Sequence, residues 1–360
     1  MSQLHPPRRP CLLFPLQRGP GPLSRETLIR SLLVDQELPP GARAALLGVD
    51  GPRLTSAWQG MLAGAAEATM HDEACLLQVE RGNDEERPAA ALPLLGKRVL
   101  VTRTLDEATA AAWQLGGRGA EAIVLPCLEI RPVADEERAQ LQLALRQAAR
   151  RYDIVVVTSL NGARALGQAL QEAGLAPRTA LAGLLIASVG PRTTAELDRL
   201  GLPVDLTTPD HRAEGLIAAL LEQGRAGPCR ALLPRAAEAR ELLPRALVEA
   251  GWTVDDLPAY RTEWPQLDLT VLGGWIAEVG LDAALFASPS AFHGFLALLG
   301  HRQALDILGR TAICAIGPTT ATALRAAGLE VAAMPAVHTM AALIEAAGQL
   351  LAGGSWWKSD

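Results

Sequence analysis

The stretch Ala315-Ile316-Gly317-Pro318-Thr319-Thr320 decides the fold, because the chain contains a second version of it, Ser188-Val189-Gly190-Pro191-Arg192-Thr193. The two glycines are 127 residues apart, and the same spacing joins further pairs of identical residues. These pairs are Thr193 with Thr320, Leu197 with Leu324, Gly201 with Gly328, Val204 with Val331, His211 with His338, and Leu216-Ile217 with Leu343-Ile344. So many matches in one register indicate an internal repeat.

Each copy has the residue pattern of a β-α-β-α unit. An apolar run of strand length, residues 184–189 or 312–316, leads into Gly-Pro. Proline suits a first helical turn because its missing N–H is not needed there. We expect Gly201 and Gly328 to end the two helices in the left-handed conformation. A short strand and a second helix follow each of these glycines.

The duplication reaches beyond these two copies. Arg230-Ala231-Leu232-Leu233-Pro234-Arg235 aligns with residues 98–103, 132 positions earlier, and the same spacing joins Gly119 with Gly251. Both aligned segments have the composition of a buried strand. Nearly all of the chain after Lys97 is therefore predicted to be a duplicated α/β scaffold.

A further matching pair places polar residues where strands end. Residues 153–161 and 282–290 each carry a serine, Ser159 or Ser288, six positions after an aspartate. Serine is a preferred N-cap, because its hydroxyl accepts a bond from a free backbone N–H. Ligands of doubly wound sheets bind beyond the carboxyl ends of the strands. The serine turns and the Gly-Pro turns are therefore the candidate ligand site.

Composition limits the class of protein. A chain of 360 residues with 49% hydrophobic residues is long enough for two domains with sizeable cores. The longest apolar runs fall short of the roughly 20 residues that a membrane helix needs, and we expect a cytoplasmic protein without a membrane partner. The formal net charge of −6 disfavours a nucleic-acid partner.

The cysteines indicate neither a disulfide framework nor a metal site. There are five, an odd number, and no two form a C-x-x-C pair. We interpret them as buried free thiols.

At this point the motifs taken together resemble the uroporphyrinogen-III synthase family, from about Gly96 to Gly354. No single piece is specific, but their order, spacing and internal duplication are. The pieces are Val99-Leu100-Val101-Thr102-Arg103, Val157-Thr158-Ser159, Val189-Gly190-x-x-Thr193, Ala213-Glu214-Gly215-Leu216, Ala259-Tyr260-Arg261-Thr262, Phe286-Ala287-Ser288-Pro289-Ser290 and Ala315-Ile316-Gly317-Pro318-Thr319-Thr320.

The resemblance implies an architecture of two flavodoxin-like α/β domains with parallel sheets. Domain one would be 96–128 plus 264–354, and domain two 132–258. Proline-bracketed crossovers at 126–132 and 258–265 would form a two-strand hinge beside a ligand cleft.

The resemblance also implies an activity. The family closes the linear tetrapyrrole hydroxymethylbilane into uroporphyrinogen III, with loss of water and inversion of the last pyrrole ring, in tetrapyrrole biosynthesis (heme, siroheme, cobalamin). It uses neither a metal nor an organic cofactor. We expect a monomer, and a transient contact with hydroxymethylbilane synthase is a further expectation.

The site residues that the resemblance implies lie in both domains. Tyr260 matches the family's crossover tyrosine and is the candidate to hydrogen-bond or protonate the departing hydroxyl. The alternative for Tyr260 is a tyrosine that fills a hinge, since a phenol is a poor acid. The expected substrate-binding residues are Arg103, Ser159, Gly190, Thr193, Arg235, Arg261, Ser288, Ser290, Gly317 and Thr320.

Some of these residues could instead have purely structural roles. Thr193 and Thr320 are equally suited to capping their own helices, and each arginine to a solvated surface position. Ala291 and Arg192 depart from the family's usual small residues, Gly being common at the first. His211, His293 and His338 are interpreted as surface or loop residues.

A rival function is a two-domain small-molecule binding or sensor protein without catalysis, because a hinge and a cleft also serve ligand capture. Residues 1–95 are left unassigned, as a Pro-rich extension or linker that favours extended or disordered chain, with helices predicted at 24–33 and 56–69. A faint likeness of Ala45–Ala66 to the tail of hydroxymethylbilane synthase suggests a remnant of a fused enzyme. Such a remnant would be dispensable for activity.

Overall fold

The computed structural model describes residues 11–16, 25–34, 43–50, 53–62, 65, 74–80, 92–208, 213–222, 229–239 and 241–353. The chain divides into two compact units. Unit 1 takes the chain up to Glu129 and again from Trp264 onward, and unit 2 is Ile130–Glu263. No helix in the described ranges is long and apolar enough to cross a membrane.

Unit 1 is built on an eight-stranded sheet. Its strands are β1 (Cys11–Pro15), β2 (Arg43–Asp50), β3 (Arg53–Met61), β4 (Ala74–Glu80), β5 (Arg98–Arg103), β6 (Glu121–Pro126), β13 (Ala283–Phe286) and β14 (Ala312–Ala315). Its helices are α1 (Arg25–Val34), α2 (Leu105–Gly116), α10 (Thr270–Val279), α11 (Pro289–Leu299), α12 (His301–Leu308), α13 (Pro318–Ala326) and α14 (Met340–Ala352). The strand order is β14-β13-β5-β6-β1-β4-β2-β3.

Unit 2 is built on a six-stranded sheet with the order β10-β9-β8-β11-β12-β7. The strands are β7 (Glu129–Arg131), which begins at the last residue of unit 1, β8 (Ile154–Val157), β9 (Leu185–Ser188), β10 (Leu206–Thr207), β11 (Arg230–Ala236) and β12 (Thr253–Glu263). The helices are α3 (Asp135–Arg146), α4 (Ala148–Arg151), α5 (Leu160–Glu172), α6 (Pro177–Ala180), α7 (Pro191–Arg199), α8 (Ala213–Glu222) and α9 (Leu242–Glu249).

The two sheets share a parallel arrangement. Strands β14-β13-β5-β6 of unit 1 and β9-β8-β11-β12 of unit 2 pair in parallel throughout. In unit 1 the spatial order β6-β5-β13-β14 is the flavodoxin-like order, and the order β12-β11-β8-β9-β10 of unit 2 matches it when the count starts at β11. The same kind of hydrogen bond ties neighbouring strands together in each sheet. Asp282 Oδ2, just before β13, accepts the N–H of Arg98 in β5 at 2.7 Å, and Asp153 Oδ2, just before β8, accepts that of Arg230 in β11 at 2.8 Å. The predicted α/β class with two largely parallel sheets is confirmed.

The local signals of the repeat act as the sequence predicted. Both Gly-Pro turns place proline in the first turn of a helix, at α7 and at α13. Gly201 and Gly328 follow these helices with φ of 77° and 80°, a region that glycine enters without steric cost. Of the five cysteines, Cys11, Cys127, Cys229 and Cys314 are buried free thiols.

The N-terminal segment is part of the unit 1 sheet. Strand β1 pairs in parallel with β6 and antiparallel with β4, and β2 then pairs antiparallel with both β4 and β3. The helix predicted at 24–33 is present as α1, whereas the helix predicted at 56–69 is wrong, because strand β3 runs through Met61. Antiparallel pairing with the preceding strand β2 outweighs the local helix signal there.

Side chains of this segment lie in both cores of unit 1. Leu12 and Phe14 pack with α1 and α2 on one face of the sheet. Leu13 and Leu76 lie in the core on the other face, together with Trp275 of α10. The segment therefore buries the β6 edge and completes the hydrophobic layers.

Candidate functional site

In unit 2 the carboxyl ends of the parallel strands bring Ser159 and Tyr260 together. Ser159 follows β8 and caps α5, its Oγ accepting the Gly162 N–H at 2.9 Å. Tyr260 lies near the end of β12 and is only 8% exposed. The Ser159 Oγ and the Tyr260 phenol oxygen are 2.9 Å apart, although 101 residues separate them in sequence.

The surroundings of Tyr260 keep its phenol protonated. Burial raises the pKa of Tyr260 above its ordinary value of 10.0, the hydrogen bond with Ser159 opposes this shift, and the nearby Glu238 carboxylate adds to it. Since the Ser159 hydroxyl can donate to the phenol oxygen, the phenol O–H stays available as a donor to another group.

The second turn of unit 2 is the Gly190 turn. Gly190 caps α7 without a side-chain bond, so the first backbone N–H groups of that helix lack a side-chain acceptor from the cap. Thr193 is buried in the first turn of the helix. The turn is braced by Ser188, whose Oγ lies 2.6 Å from Thr194 Oγ1, and by the Thr194 hydroxyl, which donates to the Gly190 carbonyl at 3.2 Å.

Unit 1 repeats this arrangement at the ends of β13 and β14. Ser288 caps α11 through its Oγ, which accepts the Ala291 N–H at 3.1 Å, and the neighbouring Ser290 is exposed. Gly317 caps α13, again without a side-chain bond, and Thr320 is buried in the first turn. Helix N-termini of this kind attract carboxylates through their N–H groups and dipole.

His338 lies against the Gly317 turn. A Cβ placed on Gly317 would be 3.2 Å from two ring carbons of His338. The histidine is an exposed loop residue, as the sequence predicted, but its position beside a candidate ligand turn was missed. The only sequence signal was the match of His338 with His211, which lies outside the described residues.

The three arginines expected to bind substrate all form ion pairs within the protein. Arg103 Nε donates to Glu107, in the first turn of α2, at 2.8 Å. Arg235 is buried and forms a two-bond ion pair with Asp256 on the neighbouring strand. Their role in binding substrate stays a prediction. A substrate carboxylate would have to compete with Glu107 and Asp256 for these guanidinium groups.

Arg261, the third arginine, belongs to a cluster that the sequence did not reveal. Its Nη2 donates to Glu137 Oε1 at 2.8 Å and to Oε2 at 3.0 Å, and its Nη1 lies 3.6 Å from Glu238. The same Glu238 accepts the Thr262 N–H at 3.2 Å. The bonds from Arg261 hold the pKa of the Glu137 carboxyl below its usual value. The two residues that follow Tyr260 are thereby fixed to α3 and to the turn after β11.

Taken together, each unit offers capped turns rich in hydroxyls and backbone N–H donors, and unit 2 adds a protonated phenol. In the part of the chain that the structure describes, no three His, Cys, Asp or Glu side chains are placed to hold a metal ion. The arrangement suits an anionic ligand and proton donation to a leaving oxygen.

Comparison with known proteins decides the family. The family model for uroporphyrinogen-III synthase HemD matches residues 109–345. The chain belongs to the uroporphyrinogen-III synthase family. A putative uroporphyrinogen-III synthase of Methanothermobacter thermautotrophicus is 32% identical over 254 residues, which are 68% of this chain and 95% of the relative. A uroporphyrinogen-III synthase of Synechococcus elongatus is 30% identical over 64% of this chain and 86% of its own length.

A solved structure of the same family has the same fold. A mutant uroporphyrinogen III synthase from the extremely thermophilic bacterium Thermus thermophilus is 22% identical, covers 72% of this chain and 100% of its own, and gives a TM-score of 0.50. At this identity the likeness supports the fold alone. The family match begins at residue 109, so strands β1 to β5 lie outside it.

Proposed function

We propose that this chain is a lyase that closes hydroxymethylbilane into uroporphyrinogen III. In this reaction the hydroxymethyl carbon loses its oxygen as water and bonds to the substituted carbon of the last ring, giving a spiro intermediate. The bond from that carbon to its original methylene bridge then breaks, and the bridge rebonds to the open carbon of the same ring, which loses a proton. The last ring is thereby inverted. The observation that carries the proposal is the Tyr260 phenol, buried and 2.9 Å from Ser159 at the carboxyl ends of the unit 2 strands, in a chain of this family.

Tyr260 donates to the departing hydroxyl in this proposal. The pyrrole nitrogen expels the hydroxyl, so the step needs a positioned hydrogen-bond donor more than a strong acid. Ser159 donates to the phenol oxygen while its own Oγ accepts the Gly162 N–H, which directs the phenol proton toward substrate. The phenol regains its proton from water after product leaves.

The capped turns hold the acetate and propionate groups. Backbone N–H groups at Gly190 and Gly317, together with the hydroxyls of Ser288 and Ser290, are the proposed donors, and Thr193 and Thr320 shape the turns from within. Arg103, Arg235 and Arg261 are the proposed guanidinium donors, and a substrate carboxylate competes for them with Glu107, Asp256 and Glu137. Orientation of the chain ends for attack at the substituted carbon is the main catalytic effect.

The test is the isomer composition of the product. Purified protein is given freshly made hydroxymethylbilane, the products are oxidised, and type I and type III uroporphyrins are separated. We expect type III in excess, whereas the uncatalysed reaction gives type I. Type I alone, at the uncatalysed rate, would reject the proposal and bring forward a binding or sensor function.

A further inference from the structure

Unit 1 contains a cavity at the end of its sheet opposite the Ser288 and Gly317 turns. The cavity has a volume of about 590 Å³ and lies between α10, α12 and the segments that lead into β13 and β14. Its size falls within the range of about 300–1,000 Å³ typical of small-molecule sites. Because it opens at the amino ends of the strands, it is separate from the candidate site at their carboxyl ends.

The cavity floor is apolar. Ile276, Leu281, Leu299 and Ile307 line it, and each is less than a tenth exposed. These side chains come from α10, from the residues before β13, from the end of α11 and from α12. An apolar floor supplied by four separate segments fits a compact hydrocarbon group of a ligand.

Two arginines line the same cavity, Arg302 at the start of α12 and Arg310 just after it. Both are exposed, and neither side chain makes a hydrogen bond or ion pair with the part of the chain that the structure describes. Arg103, Arg235 and Arg261, in contrast, are all paired with carboxylates. One carboxylate, Asp306, also lines the cavity, so the lining is net positive.

An adjoining depression of about 400 Å³ shares Arg310 and adds Glu278 and Asp282. Asp282 is already used, since it accepts the Arg98 N–H and lies 3.7 Å from the Lys97 ammonium. The acidic groups of this depression make it the less favourable side for an anion, so the charged end of a ligand belongs beside Arg302 and Arg310.

We propose that this cavity binds a small amphipathic carboxylate, with its hydrocarbon part on Ile276, Leu299 and Ile307 and its carboxylate on Arg302 and Arg310. Guanidinium groups form two parallel hydrogen bonds to a carboxylate, which gives both affinity and orientation. The ligand is not the tetrapyrrole of the proposed reaction, and its site is independent of that reaction.

The test uses octanoate as the probe, with 1-octanol and acetate as analogues that lack the charge or the chain. Binding to the full chain is followed by NMR shifts or calorimetry. We expect saturable octanoate binding with Kd on the order of 1 mM, and no detectable acetate binding. The Arg302→Ala/Arg310→Ala double variant should bind octanoate about tenfold more weakly.

Two further variants separate the site from general surface binding. Ala277→Phe places a ring in the cavity from an exposed position and should abolish binding of octanoate and of 1-octanol. Arg325→Ala removes an exposed arginine of α13, in the same unit, and should leave octanoate binding unchanged. No saturable octanoate binding up to 10 mM (roughly ten times the expected Kd), or an equal loss in Arg325→Ala, would overturn the proposal.

Discussion

At the residue scale, the phenol of Tyr260 is the group on which the proposed chemistry depends. We expect Tyr260→Phe to lower kcat by about 10²-fold or more, because the departing hydroxyl loses its donor, with little change in the unfolding midpoint. The chain has one other tyrosine, Tyr152, which is buried and bonded to Asp255. Tyr152→Phe removes the same phenol oxygen. Because Tyr152 lies near the amino end of β8, away from the candidate site at the carboxyl ends, this variant should retain the wild-type kcat. Equal rates for the two variants would remove Tyr260 from the mechanism.

The raised pKa of Tyr260 sets the pH dependence of the reaction. The protonated phenol is the active form. Burial raises the pKa of Tyr260 above its ordinary value of 10.0, so the phenol stays protonated to a higher pH. The wild-type kcat should therefore show no loss from this group as pH rises to about 10. The measurement is kcat against pH with the spontaneous reaction subtracted. An alkaline limb centred below pH 9 that is absent in Tyr260→Phe would contradict this assignment.

The Glu137–Arg261 pair positions the end of β12. Glu137→Gln removes the charge that holds Arg261, and we expect kcat to fall roughly tenfold, because a small misplacement of Tyr260 is costly. Glu249→Gln breaks the exposed Arg245–Glu249 pair of the same unit and serves as the matched control. Because the pKa of Glu137 is lowered in the folded state, the pair stabilises the folded protein at pH values above the ordinary pKa of 4.5. This stabilisation is lost as the pH falls below that value. Unchanged kcat in Glu137→Gln would assign the pair a purely structural role.

At the element scale, α11 lies unusually close to the segment after β6. A Cβ on Gly294 would be 2.2 Å from the carbonyl oxygen of Cys127, so Gly294→Ala forces the helix or that backbone to move. We expect a loss of about 1–3 kcal/mol in the free energy of unfolding, measured by urea titration. Gly274 of α10 has nothing within 4 Å of its Cβ position. Gly274→Ala should therefore stabilise by about 0.5–1 kcal/mol, and a similar stabilisation in Gly294→Ala would disprove the close contact.

How much of each element could be predicted depends on how local its causes are. The strand, Gly-Pro and helix order at Gly190 and Gly317 was predictable, because an apolar run and a proline act on their own neighbours. The caps at Ser159 and Ser288 were predictable for the same reason. Strand β3 was not, since its antiparallel pairing with the whole of β2 decides its conformation, and no local signal marks that pairing.

The candidate site was predictable only in part. The turns and Tyr260 carry motif signals, whereas the contact of Arg261 with Glu137 joins residues 124 positions apart, and nothing in either local sequence marks it. The ion pair of Arg235 with Asp256 is likewise not marked locally, because the two residues are 21 positions apart on neighbouring strands. The Arg103–Glu107 pair is different, since its i,i+4 spacing could be read from the sequence. Side-chain pairing follows from the folded arrangement, and charge type alone does not predict it.

At the scale of the whole molecule, the N-terminal segment bears on the stability of unit 1. Its strand β1 lies between β6 and β4, and Leu12 approaches α2, with its Cδ1 3.3 Å from the Cβ position of Gly116. The buried Arg98–Glu121 pair lies directly beside it, since Cys11 pairs with Glu121 across the sheet. A dispensable remnant would not be expected to fill both cores of a unit.

Removal of residues 1–91 should therefore destabilise unit 1. The truncated chain would expose the β6 edge and the faces of α2 and α10 that pack on β1 to β4, and exposed edges promote association between chains. We expect a melting temperature at least about 10 °C below that of the full chain, with aggregation and loss of ring closure. The point variant Phe14→Ala retains the chain length and should cost about 3–5 kcal/mol, because Phe14 is fully buried. A truncated chain that is monomeric, melts like the full chain and still forms type III product would show instead that the segment is dispensable.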